Sequence, residues 1–446
     1  MIKHRINPLS TYISMHRRVL LPILFVTSLA NFGRTQTYFP PTTGLQWDTL
    51  SPNSLGWCQD SIDALYDYLE TEQSDAFIVL KDGEIVLEKY FGTYGVLSAQ
   101  AWNSASKSLR SVLVGIAQEE GLIDIQNKTS DYLGQGWSNL PQNKEDLITV
   151  WNQLTMTSGL DEAEFFCITP SCLNYVADAG TRWAYHNGPY LLLEDVIGSQ
   201  SGVTFNVYTD TRLEQAIGMS GFWFTFLGNT TYVASARDMA RFAWLVMNDG
   251  IWNGTTVLGD LNYVNAMRTP SQTLNPSYGY LWWLNGQSFY VNTAPTVAVP
   301  GMISPNAPAD VYAAAGLNGQ FISISPSNGL IMIRQGSGTG NYTEFSLHDQ
   351  IWKKLMNLDC TASLVDAPAS EVHVFPNPSG GTFQVEFSDV QEVVHIELHN
   401  AEGKLLHETT RNTVQTIDLQ ISLSPGVYFL TMETETGTRQ RRLVIE

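Results

Sequence analysis

Ser104 and Lys107 stand three positions apart in the run Asn103-Ser-Ala-Ser-Lys-Ser-Leu-Arg110. The residues that follow, Ser111-Val-Leu-Val-Gly-Ile-Ala-Gln118, read as a helix. Positions i and i+3 of a helix share a face, so the lysine ammonium is expected beside the serine hydroxyl at the helix start. Backbone N–H groups at a helix N-terminus favour negative charge developing there. Such an arrangement can make a nucleophile of a weak alcohol without histidine. Taken alone, the spacing is more often that of a capping serine followed by a solvated lysine. Two further stretches change that balance.

Tyr185-His-Asn187 lies in Gly180-Thr-Arg-Trp-Ala-Tyr-His-Asn-Gly-Pro189, at a separation that loops can close. Tyr185 is a candidate proton acceptor, with its pKa expected to be pulled down by the nearby lysine cation. Asn187 is a candidate for orienting Lys107 and holding a substrate carbonyl. The bland reading of Tyr185 is a half-buried aromatic beside a turn. Ala315-Gly-Leu-Asn-Gly-Gln320 then leads into Phe321-Ile-Ser-Ile-Ser325. Glycine-rich backbone entering a strand can point N–H groups at an oxyanion.

In this order and spacing, Ser104-x-x-Lys107, Tyr185-x-Asn187 and Gly316-Leu-Asn-Gly-Gln320 resemble the serine β-lactamase-related hydrolases. These include class C β-lactamases, D-Ala-D-Ala carboxypeptidases, esterases and nylon-oligomer hydrolases. Leu154-Thr-Met-Thr-Ser-Gly-Leu160, Ala234-Ser-Ala-Arg-Asp-Met-Ala240 and Tyr278-Gly-Tyr-Leu-Trp-Trp283 look like the family too. The resemblance implies Ser104 as nucleophile of an acyl-enzyme, with Lys107 and Tyr185 sharing proton transfer. It implies Asn187, Leu317, Asn318 and Gly319 at the substrate, and the backbone N–H groups of Ser104 and Gln320 as the oxyanion hole. Many members carry Lys-Thr-Gly or His-x-Gly in the third motif, where this chain reads Leu317-Asn318-Gly319. No Lys or His lies between Arg268 and Arg334. In the penicillin-recognising branches that lysine helps bind a substrate carboxylate, which Leu317 cannot do. Neutral esters or amides are therefore expected over β-lactams and peptidoglycan stems. A β-lactamase, a D,D-carboxypeptidase or a non-catalytic surface binder of the same fold are the rival readings.

Other hydrolytic chemistries are poorly supplied. His186 and His348 are the only histidines between residues 45 and 370, and no G-x-S-x-G elbow occurs. His186 is expected to point away from its motif neighbours. Nothing has metal-ligand spacing, so no metal and no cofactor is expected. A formal net charge of −19 disfavours nucleic acid and anionic membranes as partners.

Residues 1–36 read as an export signal, with Met15 a possible true start. Arg17-Arg18 precede an apolar run from Val19 to Ala30, too short to span a bilayer. Export suits disulfides. Cys167–Cys172 with Cys58–Cys360 is an attractive pairing of the four cysteines, and one of three connectivities.

The segment from 45 to 358 reads as an α+β hydrolase domain. Ser61–Leu69 suits a helix. Ala76–Leu80 and Glu84–Glu88 form a hairpin through Asp82-Gly83, and Phe321–Ser325 with Leu330–Arg334 form another. The middle reads as mostly helical, giving an antiparallel sheet flanked by helices with a helical subdomain. Trp282, Trp283, Trp223, Tyr280 and Phe222 are expected in the core more than in a substrate cleft. Residues 359–370 read as a linker. From 371 to 446, strands at intervals of about ten residues indicate a small β-sandwich. Its Phe375-Pro-Asn-Pro378, Pro425-Gly-Val-Tyr-Phe429 and Arg442-Leu-Val-Ile445 resemble the C-terminal sorting domain of the type IX secretion system of Bacteroidota. That implies contact with the secretion machinery, passage through the periplasm, and a secreted or cell-surface enzyme.

Overall fold

The computed structural model describes residues 37–164, 167–360, 372–400, 403–434 and 437–446. The export signal expected at 1–36 lies outside the described residues, as does all but the start of the linker expected at 359–370. Along the hydrolase region run helix α1 (Gln59–Thr71), strands β1 (Ser74–Lys81), β2 (Glu84–Tyr90) and β3 (Ala99–Ala101), and helix α2 (Ser106–Glu119). Helix α3 (Asn187–Leu191), strands β4 (Gly221–Phe226) and β5 (Asn229–Ser235), and helix α4 (Ala236–Met247) follow. Strands β6 (Trp283–Leu284), β7 (Tyr312–Gly316), β8 (Gln320–Ser325) and β9 (Leu330–Gly336) precede helix α5 (Glu344–Leu355).

The central sheet has six strands in the order β2-β1-β9-β8-β7-β6, with antiparallel pairing. Its inner strands are buried on both faces, which is why they read as nearly continuous apolar runs. Alternate side chains go to opposite sides. Phe77, Val79, Phe321 and Met332 meet Ile62, Leu65 and Leu69 of α1 and Leu347, Ile351 and Trp352 of α5. Ala76, Ile78, Ile322, Ile324, Ile331 and Ile333 face the larger core with α2 and α4. The β1–β2 hairpin turns at Asp82 and Gly83, both with positive φ. A Cβ at Gly83 would run into the Trp244 ring, so the turn also needs the space.

Cys58 is bonded to Cys360, and Cys167 to Cys172. Around the first pair, Cys58 N–H donates to Leu358 O at 2.8 Å and Cys360 N–H to Gly56 O at 2.6 Å. The two ends of the hydrolase region are thus laced together beside α1 and α5.

One element departs from the sequence reading. Strands β4 and β5 fall within the stretch from Ser104 to Gly250 that reads as mostly helical, and with β3 ahead of it they form a three-stranded sheet in the order β3-β5-β4. Strand β3 runs directly into the turn bearing Ser104.

The C-terminal region has its own core, including Phe383, Val385, Ile396, Leu398, Leu430, Met432 and Leu443. Its strands are β10 (Val372–Phe375), β11 (Thr382–Asn400), β12 (Leu405–Gln420), β13 (Gly426–Thr434) and β14 (Gly437–Ile445). Thr382–Phe387 and Val393–Leu398, two apolar runs at the spacing read as separate strands, lie in the single long β11, whose register shifts between Glu386 and Gln391. One part of β11 pairs with β10 and another with β13, while β12 runs beside both. Ser379 bridges to Ile445, so the sheet nearly closes as a sandwich. Among the described residues, no helix is long and apolar enough to cross a membrane.

Candidate active site

Ser104 sits in a short 3-10 turn, Asn103–Ala105, that feeds directly into α2. Strand β5 fixes this turn. Trp102 N–H donates to Tyr232 O at 2.8 Å, and the Thr231 hydroxyl reaches Asn103 O at 3.4 Å. Asn103 has φ 51°, a left-handed conformation that asparagine tolerates better than most residues. Its side-chain amide donates to Leu317 O at 2.9 Å. The Ser104 turn is thereby tied to the end of β7 as well. Ser104 itself is only partly buried.

Lys107 Nζ lies 2.9 Å from Ser104 Oγ, the juxtaposition expected from their spacing. Helix α2 is buried from Ser106 to Ala117, and it takes two basic side chains inward with it. Burial holds the Lys107 amine well below its ordinary pKa, and the Arg110 guanidinium three residues on pushes it the same way. Arg110 pairs with Glu194, and its guanidinium lies 5.0 Å from the Tyr190 ring centre. Lys107 Nζ lies 4.2 Å from that same ring and 4.6 Å from the ring of Tyr185.

Tyr185 is buried and stacks on Trp283, with ring centres 5.9 Å apart. Its pKa moves opposite to the sequence expectation. Burial raises the phenol above its ordinary value, and a hydrogen bond with Ser104 only partly opposes that. The expectation failed because the lysine, itself buried beside a guanidinium, is held towards its uncharged form. Burial thus favours the uncharged form of both groups.

Asn187 opens α3, and its Oδ1 is buried without a protein partner, leaving a free acceptor in the interior. His186 points elsewhere. Its Nε2 would lie 3.0 Å from a Cβ at Gly188, on the side of the Cys167–Leu173 loop. Burial pushes its pKa down to about 4. His348 donates or accepts between Ser304 and Ser323 and is likewise pushed down, to about 3, by burial.

In the third motif, Gly316 ends β7 against the Ser104 turn. A Cβ there would meet the Trp102 carbonyl and come within 2.9 Å of Ala105 N and 3.0 Å of Ser104 N. Leu317 is 63% exposed, with its carbonyl held by Asn103. Asn318 and Gly319 form the turn with positive φ, and both of their carbonyls accept from Arg334, at 2.9 and 2.8 Å. Gln320 pairs with Gly316 across the hairpin, and its buried side chain donates to Gly336 O. The structure therefore brings Gly316 and Leu317 to Ser104 and fastens Asn318 and Gly319 to Arg334. Asn103, Arg110, Tyr190 and Thr231 were not singled out from sequence. For Arg110 the i+3 spacing from Lys107 was the available signal. Of the aromatics noted from sequence, Trp223, Tyr280, Trp282 and Trp283 are core, and Phe222 is 51% exposed.

Among the described residues, one group of side chains gathers metal-ligating atoms: His395, Glu397 and Glu408. It lies on β11 and β12, in the C-terminal region, with none of the residues around Ser104.

The sequence profile of the family described as Beta-lactamase matches residues 62–351. The chain belongs to this β-lactamase family. The fold is that of its solved structures. A protein described as a 6-aminohexanoate-dimer hydrolase from Bacillus anthracis superposes with a TM-score of 0.56 at 18% identity, covering 72% of this chain and 89% of that one. EstA from Arthrobacter nitroguajacolicus Rue61a gives 0.51 at 14% identity, covering 70% and 99%. D-alanine carboxypeptidase AmpC from Burkholderia cenocepacia gives 0.51 at 17% identity, covering 67% and 98%. No curated protein sequence matches the chain. The second profile, a secretion system C-terminal sorting domain, matches residues 373–446. This family member is therefore marked for type IX export, to the cell surface or beyond.

Proposed function

We propose that the protein is an exported serine hydrolase that cleaves neutral esters or amides through a Ser104 acyl-enzyme. The observation that carries this reading is the buried Lys107 amine, 2.9 Å from a partly accessible serine hydroxyl and held below its ordinary pKa.

Ser104 Oγ attacks the substrate carbonyl carbon while its proton passes to the free Lys107 amine. The carbonyl π pair moves onto oxygen, where the Ser104 amide and an amide of the Gly316–Gln320 turn stabilise it. As the intermediate collapses, the bond to the alcohol or amine breaks and the leaving group takes the proton from the Lys107 ammonium. Tyr185, its phenol protonated, relays that proton. Water then attacks the acyl-enzyme, giving its proton to Lys107. Ser104 leaves with that proton, and the free acid is released. Asn187 Oδ1 accepts from the substrate or from Lys107 while it is protonated.

A preference for neutral substrates follows from Leu317 and from the fixed bonding of Arg334. All three Arg334 nitrogens are bonded to Ser74 or to backbone carbonyls, so it is not free for a substrate carboxylate. The test is a panel of p-nitrophenyl esters, nitrocefin and D-amino-acid amides, together with a fluorophosphonate label. Ester turnover and labelling should both vanish in Ser104→Ala. Labelling or turnover that persists in that variant removes the assignment. Leu317→Lys should shift kcat/KM towards carboxylate-bearing substrates relative to neutral esters. Efficient nitrocefin hydrolysis by the unaltered enzyme would overturn the neutral-substrate reading.

A further inference from the structure

Strand β4 reads Gly-Phe-Trp-Phe-Thr-Phe, and its two faces have different environments. Trp223 points into the core and is 6% exposed. Phe222, Phe224 and Phe226 share the other face, being two residues apart, and are 51%, 49% and 65% exposed. Leu227 extends the stripe and is 82% exposed. Isolated surface hydrophobics are normal, but a contiguous apolar row calls for an occupant.

The position of the row identifies the occupant. Residues directly opposite in an antiparallel pair project to the same face. Phe224 is opposite Thr231, and the Thr231 hydroxyl contacts Asn103 O, one residue before the nucleophile. The aromatic face is therefore continuous with the turn that carries Ser104. On the other side of Asn103 stands Leu317, also exposed, with its carbonyl held by the Asn103 amide. Nothing charged interrupts the row, since Met219–Ser235 contains no Asp, Glu, Lys, Arg or His.

The outer edge of β4 is partly closed to another strand. Asn206 takes up both backbone groups of Trp223, accepting from its N–H at 2.7 Å and donating to its carbonyl at 3.3 Å. The exposed feature is the face of the strand. From Phe222 to Phe226 is four residue steps, or about 13 Å of extended backbone.

We infer that this face is the acyl-binding platform of the enzyme, and that the substrate class is an ester or amide of a medium- to long-chain aliphatic acid. The inference rests on the reading of Ser104 as nucleophile. The acyl chain lies along Phe224, Phe222 and Phe226 while its carbonyl sits at Ser104, with Leu317 covering the opposite rim. A stripe of rings grips methylenes by area and dispersion, with no need of a carboxylate site.

The experiment compares kcat/KM for p-nitrophenyl decanoate and p-nitrophenyl acetate in the full chain, with the mass in solution measured by light scattering. The decanoate-to-acetate ratio should exceed about one hundred in the unaltered enzyme. It should fall at least about tenfold in Phe224→Ser and further in the triple variant with Phe222→Ser and Phe226→Ser. Phe224→Leu, which keeps apolar area, should hold most of the ratio. Thermal melts should show each variant folded, because these rings are half exposed and outside the core. A ratio near one in the unaltered enzyme, or one unmoved by the triple variant, overturns the platform. So does a dimer that the triple variant dissociates, which would assign the face to a second copy of the chain. The acetate arm separates the two levels of the argument. Ser104-dependent acetate hydrolysis without chain-length dependence defeats only the platform, whereas no Ser104-dependent hydrolysis of any ester defeats the hydrolase reading beneath it.

Discussion

Gly316→Ala places one methyl group between the two elements that must meet at the nucleophile. Gly316 has no positive φ, so the substitution adds volume without backbone strain. The new Cβ would meet the Trp102 carbonyl and lie 2.9 Å from Ala105 N, against an ordinary contact of 3.4 Å or more. The shortfall is about 0.5 Å at Ala105 N and larger at the Trp102 carbonyl, and it falls on backbone atoms that cannot rotate away, so β7 or the Ser104 turn must retreat. Productive geometry at an active site tolerates displacements of only about 0.5 Å, and the loss of one oxyanion donor costs about a hundredfold or more in kcat. We expect kcat for a p-nitrophenyl ester to fall about a hundredfold while KM changes far less. Overpacking should also cost about 1–3 kcal/mol of stability, visible as a modest fall in melting temperature. Gly319→Ala provides the contrast. Its φ is 71° and its Cβ would strike the Arg334 guanidinium, so it should lose stability with a smaller effect on kcat. Steady-state kinetics and thermal melts on the two variants decide the matter. If Gly316→Ala keeps kcat within about threefold of the unaltered enzyme, the packing of β7 against Ser104 does not govern the reaction.

Four other outcomes follow from features already described. Because Lys107 is held well below its ordinary pKa by burial, kcat/KM should fall only as pH drops through that depressed value, and an acid limb centred near 10.5 would refute the free-amine base. The same shift acts on stability: below the ordinary pKa the unfolded chain binds a proton that the folded chain refuses. Stability should rise with pH across that window, and urea titrations of Lys107→Met should lose this slope. Cleaving Cys58–Cys360, which closes a separation of 302 residues, should lower stability by up to about 6 kcal/mol of chain entropy, read from urea unfolding with and without reductant or in Cys58→Ser. A chain ending at Thr361 keeps that disulfide and all of the residues placed around Ser104. It should hydrolyse ester at nearly the full rate yet stay in the periplasm of the native host, and normal appearance in the medium would refute the sorting role of the tail.

Much of the hydrolase was legible because its signals are local. The i+3 spacing of Ser104 and Lys107 needs only one turn of helix, and Asp82-Gly83 between two apolar runs needs only one hairpin. The β4–β5 hairpin is local, through Leu227-Gly228, and was passed over, whereas β3 was missed because it has three residues and finds its partner more than 120 positions later. Pairing at that range leaves no periodic mark. The direction of the Tyr185 shift was missed for a related reason. Sequence placed a lysine beside a tyrosine, but burial decides which of them is charged, and burial is a property of the assembled core. The family resemblance implies the Gln320 amide for the oxyanion hole, and what sequence did not show is that Gly316, its partner across the hairpin, packs against the Ser104 amide.

The lacing of Cys58 to Cys360 has a mechanical consequence. An exported chain drawn by its C-terminal tail feels tension along the backbone, and that tension enters the hydrolase at Cys360. The covalent bond carries the load across to Cys58 and out along the N-terminal segment. The segment between them, closed over a separation of 302 and holding the sheet and the Ser104 turn, forms a slack loop off the line of force. Traction on the tail can therefore be large without shearing β7 from the turn of Ser104. The enzyme can be hauled by one end while its active site stays assembled.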